Sequence, residues 1–125
     1  MSGHRTLDDL EIGWRIQEIR DPGSSGAIPP ESGMVNLVST GAETRTLAAP
    51  SSMGIMLLIN MQTAGGDITL TCASFFNGIA NNTVVFASVG DSVMLISVRD
   101  GSSFRWSLFS PDPNDIVAGP VISTV

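Results

Sequence analysis

Between Met34 and Phe109 turn chemistry cuts the chain into short β-prone runs at close, regular intervals, and this spacing constrains the fold more than any other feature. Met34–Ser39, Arg45–Ala48, Gly54–Met61, Ile68–Ala73, Thr83–Ala87, Ser92–Val98 and Phe104–Phe109 are the runs. Ala49-Pro50, Ala64-Gly65-Gly66-Asp67, Asn81-Asn82 and Arg99-Asp100-Gly101-Ser102 separate them. Gly-Gly and Asp-Gly tolerate positive φ, so Gly65-Gly66 and Asp100-Gly101 read as hairpin turns. Together with an N-terminal run, about eight short strands without a convincing helix predict an all-β fold: a compact antiparallel barrel or a jelly-roll-like sandwich. No strand–helix alternation supports a parallel α/β sheet. The 125 residues are enough for one domain and not comfortably for two.

Upstream, Leu10, Ile12, Trp14 and Ile16 alternate with Glu11, Gly13, Arg15 and Gln17, a period of two that reads residues 9–19 as an extended strand. Leu7, Leu10 and Trp14 also fit helical spacing, but a helix would carry Gly13 in its interior. Asp21-Pro22-Gly23-Ser24-Ser25-Gly26 reads as a turn, and Ile28-Pro29-Pro30 favours extended backbone. The expected division is therefore an N-terminal arm and linker, residues 1–33, and a β domain, residues 34–125. The domain's tail is Pro-rich from Pro111 and ends in a run, Pro120–Val125, that can pair with a neighbour as a strand.

Charge follows the same division. Residues 1–33 carry three Arg and six carboxylates, whereas the 55 residues from Thr44 to Val98 carry only Arg45, Asp67 and Asp91. Either this zone presents neutral polar faces of Ser, Thr and Asn, or much of its surface meets another protein. A net charge of −6 with no Lys excludes a nucleic-acid module held by a basic patch. An apolar content of 42% excludes a wholly disordered chain. No apolar run reaches the ~18 residues of a membrane helix, so no membrane partner is expected. The N-terminus leads into acidic Leu7-Asp8-Asp9-Leu10-Glu11 rather than a signal peptide's apolar core.

Catalytic constellations find little support. A nucleophile needs a base beside it, and the single His, His4, lies near a chain end with no Lys to replace it. Cys72, in mid-strand, reads as a buried, inert thiol that can form no disulfide within the chain. One Cys and one His cannot complete a structural zinc site, and no calcium-loop pattern surrounds Asp112 and Asp115. Gly65-Gly66-Asp67 lacks the Lys and following helix of a phosphate loop. Paired carboxylates stay open, since any two of the twelve acids can meet in space, but nothing in the sequence favours a pair. Phe104, Trp106 and Leu108 share one strand face, which suits Trp106 to a core better than to a sugar platform. The expectation is a chain that is not an enzyme and uses no metal and no cofactor.

One set of residues carries a family resemblance. Thr44-Arg45-Thr46-Leu47-Ala48-Ala49-Pro50, Gly54 with Leu57-Leu58-Ile59, and Gly65-Gly66-Asp67-Ile68-Thr69-Leu70-Thr71 open the pattern. Asn81-Asn82-Thr83-Val84-Val85-Phe86, Val89-Gly90-Asp91 and Arg105-Trp106 complete it. Over this half of its length the chain resembles β-rich modules of the virion proteins of tailed bacteriophages. The resemblance implies a capsid decoration (cement) protein: a homotrimer that binds the major capsid protein on the outside of the assembled shell and stabilises it. Its place would be the virion surface, after synthesis in the bacterial host cytoplasm. Some such proteins send an N-terminal arm across neighbouring subunits. That role would fall to the arm residues Leu10, Ile12, Trp14, Ile16 and Ile19, the first four on one apolar strand face, pairing with an exposed sheet edge. Phe75, Phe76 and Ile79 are the expected oligomer contacts. The alternative is a receptor- or glycan-binding domain of a fibre or tail, with Phe75-Phe76 exposed at a loop tip.

Overall fold

The computed structural model describes residues 16–76 and 81–109 and, as backbone, 121–123. Ten strands follow one another, with no helix among the described residues: β1 (Glu18–Ile19), β2 (Gly26–Ile28), β3 (Gly33–Ser39), β4 (Glu43–Leu47), β5 (Met56–Ala64), β6 (Ile68–Cys72), β7 (Thr83–Phe86), β8 (Ser92–Asp100), β9 (Ser103–Phe109) and β10 (Val121–Ser123). They form two five-stranded mixed sheets, ordered β1-β3-β5-β8-β9 and β10-β7-β6-β4-β2, here called sheets A and B. The all-β class is as expected. The sheets are not closed into a barrel, because each ends in edge strands.

The expected antiparallel arrangement is corrected in half of the pairings. β1–β3, β3–β5, β2–β4 and β4–β6 are parallel, whereas β5–β8, β8–β9, β6–β7 and β7–β10 are antiparallel. The cause is the path of the chain. From β1 to β6 each strand lies in the sheet opposite its predecessor. A chain that returns to a sheet by way of the other one runs in its original direction, so neighbours stack in parallel. Gly65-Gly66 is accordingly not a hairpin turn but the crossover from β5 in sheet A to β6 in sheet B. Asp100-Gly101-Ser102 does close a hairpin, between β8 and β9, with Gly101 at φ +62°.

Of the first two strands, β1 is the end of the expected 9–19 strand, whereas β2 falls where the sequence reads as linker. Residues 18–28, within the expected arm and linker, add β1 to sheet A and β2 to sheet B, and put Ile19 and Ile28 into the core. Strands of two and three residues have no room for an alternation, and Pro22, Pro29 and Pro30 around them read as linker chemistry. Most of the expected 9–19 strand lies outside the described residues, as does the tail from Pro111 to Pro120. Val121–Ser123, from the last predicted run, pairs with β7 of its own chain.

Inward residues of both sheets make one hydrophobic cluster. It runs from Ile19, Val35 and Leu37 through Leu57, Ile59, Ile68, Leu70, Val84 and Phe86 to Leu95 and Trp106. Burying a Leu or Ile side chain contributes ~1.5–3 kcal/mol, so this cluster is the main stabilising term. Trp106 is fully buried, and its indole N–H donates to the Ala48 carbonyl at 2.9 Å, meeting the one polar demand of the ring.

Successive crossovers stack so closely that two glycines are required for steric reasons. A Cβ at Gly65 or Gly66 would run into the backbone of Ser39–Ala42, one crossover below. Buried Ser39 locks the contact: its hydroxyl donates to the Gly66 carbonyl at 2.6 Å and accepts from the Gly65 and Gly66 amides at 3.1 Å. Gly66→Ala must push two backbone segments apart. It should lower the urea-unfolding free energy by roughly 1–3 kcal/mol with an unchanged m-value, whereas Gly41→Ala, which meets nothing within 4 Å, should change it far less.

Candidate functional site

Charged side chains converge at one place among the described residues. Arg45 lies on β4 with its side chain fully buried, and both salt bridges of the described residues are its own. Its Nε and Nη2 donate to the two Asp21 carboxylate oxygens at 2.7 and 3.0 Å, a bidentate pair. Nη2 also donates to the Val38 carbonyl at 3.2 Å. Nη1 donates to the Thr44 carbonyl at 2.9 Å and lies 3.1 Å from Glu43 Oε1. Four hydrogen bonds and the Glu43 carboxylate thus surround the guanidinium, which has no exposed surface left to bind or polarise a substrate. Asp21 in turn accepts from the Val38 and Gly23 amides. The cluster is a staple: it ties the first crossover to β3 of sheet A and β4 of sheet B.

Electrostatics agree with that role. Burial alone would push the Asp21 carboxyl up, but Arg45 and the two amides outweigh it and hold it below the ordinary carboxylate value. The Thr40 amide, against some burial, and then Arg45 hold Glu43 low as well. Asp21, above all, raises the Arg45 guanidinium. A carboxyl lowered in the folded state contributes stability in full above its unfolded pKa of ~4 and loses it as pH falls through the folded value. The melting temperature should therefore drop below about pH 4. Asp21→Asn should flatten that acid limb and cost roughly 3 kcal/mol at pH 7, because it leaves Arg45 buried without its main counter-charge; thermal melts of both proteins at pH 3 and 7 measure this.

The two sheets turn different chemistry outward. On sheet B the outward rows are Ala27–Thr46–Thr71 and Thr44–Thr69–Val85, mostly hydroxyl-bearing. On sheet A, register aligns Met34, Leu58, Met94 and Phe109 in one row across four strands, with Met56 and Ile96 paired in the next. Alternation points these residues away from the core, since Val35, Leu57, Ile59 and Leu95 between them are buried. The twist of the sheet leaves a concavity of about 400 Å³, lined by Met34, Leu58, Asn60, Ser92, Met94 and Phe109. Phe109, half exposed at 50%, stands at its β9 side. No outward residue of β3, β5 or β8 is charged up to Val98; the charges of this face are Glu18 on β1, Arg105 on β9 and Asp100 at the end of β8.

The residues expected to form sites are scattered. Ile16 is exposed just before β1, whereas Ile19 is buried in the chain's own core and is closed to any partner. Phe75 is exposed and Phe76, its neighbour, is a core residue whose carbonyl accepts from Arg105 at 2.8 Å. Leu10, Ile12, Trp14 and Ile79 lie outside the described residues. Cys72 is buried at the end of β6, and burial pushes its thiol up, away from the reactive thiolate. Asp91, buried in the β7–β8 connection, accepts from the Ala87 and Ser88 amides and so caps the turn. Sequence reasoning missed the sheet A face, although a signal existed. Ile55–Ile59 and Val93–Ile96 are apolar at both parities, and a strand apolar on both faces is one that expects cover on both.

Among the described residues no cluster of His, Cys, Asp and Glu could hold a metal. Compared with known proteins, the chain matches no protein-family model and no curated protein.

Proposed function

We propose that the protein is a structural component of a tailed-phage virion, a homotrimer that binds the outside of the assembled capsid and stabilises it. The observation that carries this reading is the partly exposed apolar outward face of sheet A, which no other described strand covers, on an otherwise well-packed all-β body. A sheet with one face on the core normally turns polar residues to water on the other. Sheet B does so and sheet A does not. A chain that belongs in an assembly can leave such a face to be covered there. The dearth of charge from Thr44 to Val98 supports the same reading, as does the resemblance of that segment to phage virion modules. On this view the two sheets act as a sandwich-like body without catalytic duty.

Stabilisation would follow from mass action, because a ligand of the assembled shell that does not bind free subunits shifts the equilibrium towards assembly. Three arms on one trimer would act at high effective concentration, so that weak single contacts hold firmly. The arm would be the segment before β1, with Leu10, Ile12 and Trp14. A second reading, a receptor- or glycan-binding domain of a fibre or tail, draws on Phe75, exposed after β6.

Co-sedimentation with expanded shells of the same phage's major capsid protein tests the proposal. Saturable binding is expected, and removal of residues 1–15, which leaves Ile19 and Asp21 in place, should weaken it at least roughly tenfold without unfolding the domain. Equal binding of truncated and full-length chains would remove the arm from the mechanism. No shell binding at all, together with hits on a glycan array, would replace the reading with the second one.

A further inference from the structure

We infer that the outward face of sheet A is the contact between copies of this chain, with Phe109 of one copy seated in the Met34–Leu58–Met94 concavity of the next; the inference rests on the homo-oligomer proposed above and assigns its interface.

The occupant follows from three properties of the face. The first is charge. The chain carries a net −6, so two copies repel unless they meet where carboxylates are absent. The outward side of β3, β5 and, as far as Val98, β8 is such a place: Met34, Asn36, Met56, Leu58, Asn60, Ser92, Met94 and Ile96 bring no charge. A strongly basic or acidic partner would find nothing there to pair with. At the borders stand Glu18 on edge strand β1, Arg105 on edge strand β9 and Asp100 at the end of β8. A ring in which the β9 side of one copy leans on the next at its Phe109 end brings Arg105 towards Glu18, while Asp100 lies at the far end of the β8–β9 pairing.

The second property is that knob and hole lie on one surface. Phe109 projects half exposed at the end of the row, and beside it lies a hollow of about 400 Å³. An apolar cavity of ~150 Å³ already holds a benzene ring, so the hollow has room for a partner's phenyl group. A surface that carries both parts can join identical copies in a closed ring, each giving one ring and receiving one. The third property is the lining. Met34 and Met94 are flexible and polarisable, and thioethers make favourable contacts with aromatic edges. Asn60 Nδ2 donates to Asn36 Oδ1 at 3.1 Å, which satisfies part of the polar border without help from a partner. Sheet B turns mainly threonines outward, and a hollow of about 390 Å³ on it, lined by Ala27, Pro29, Thr46, Ala48, Thr71 and Ala73, has no aromatic knob among its lining residues.

Light scattering on the full chain tests the assignment, with circular dichroism as the check on folding and shell co-sedimentation as a second readout. Wild type should run as a multiple of the 13.1 kDa chain. Leu58→Glu, at an outward position, should run as a single folded chain, and Phe109→Ala should dissociate at roughly thirtyfold higher concentration than wild type. Thr46→Glu on the outer face of sheet B should leave the oligomer intact. An oligomer that survives both Leu58→Glu and Phe109→Ala overturns the assignment and leaves the proposed function standing with another interface. A Leu58→Glu protein that stays oligomeric but loses shell binding also overturns it, because the face then meets the capsid. Wild type that is monomeric yet binds shells overturns it together with the trimer, but not the decoration role. Should Leu58→Glu fail to fold, Met94→Gln and Phe109→Ala carry the same test with smaller perturbations.

Discussion

The bidentate pair between Arg45 and Asp21 is the contact on which the rest of the architecture depends. A guanidinium with no exposed side-chain surface needs acceptors for its donors, and they come from three parts of the chain: the first crossover, β3, and β4 itself. Because Asp21 also accepts the Val38 amide, one carboxylate holds the path from β1 to β2 against both sheets. Short strands such as β1 and β2 bring few ladder hydrogen bonds of their own. Without the staple, little besides Ile19 and Ile28 would hold this first coil in place.

From that coil the fold grows by repetition. Alternation between the sheets makes each new strand lie parallel to the one two earlier, and the crossovers pile up with it. The pile is tight where Gly65-Gly66 passes over Ser39–Ala42, since only hydrogen can occupy the space that a Cβ would need. The same dipeptide that tolerates a hairpin thus serves close backbone approach instead. After β6 the chain turns back, and β7, β8, β9 and β10 complete both sheets with antiparallel neighbours. One core results, filled from both sides and sealed by Trp106.

The outward surfaces show how the same backbone can face two environments. Thr44, Thr46, Thr69 and Thr71 give sheet B hydroxyls for water, while β-branching suits them to strands. Met34, Leu58, Met94 and Phe109 give sheet A a surface that water solvates poorly, although these residues occupy equivalent outward positions. Such a difference within one small domain is more informative than overall composition. It locates the scarcity of charge on a face.

Much of the fold was legible in local patterns. The β-prone run Met34–Ser39, the alternation in Ile68–Cys72 and the Asp100-Gly101 turn specify strands and a hairpin, because those signals lie within a few neighbouring residues. The inward set Ile68, Leu70 and Cys72 follows from the same period, and Trp106 was readable as core from Phe104 and Leu108 on its face. The sequence by itself therefore determined an all-β chain, its strand positions after residue 33 and much of its core. Only the tertiary structure decided which strands pair, that half of them pair in parallel, that Arg45 has Asp21 as counter-charge, and which face stays uncovered. The physical reason is distance along the chain. Met34 meets Leu58 and Leu58 meets Met94 across gaps that no local pattern spans, and a side chain's exposure depends on what those distant partners leave open.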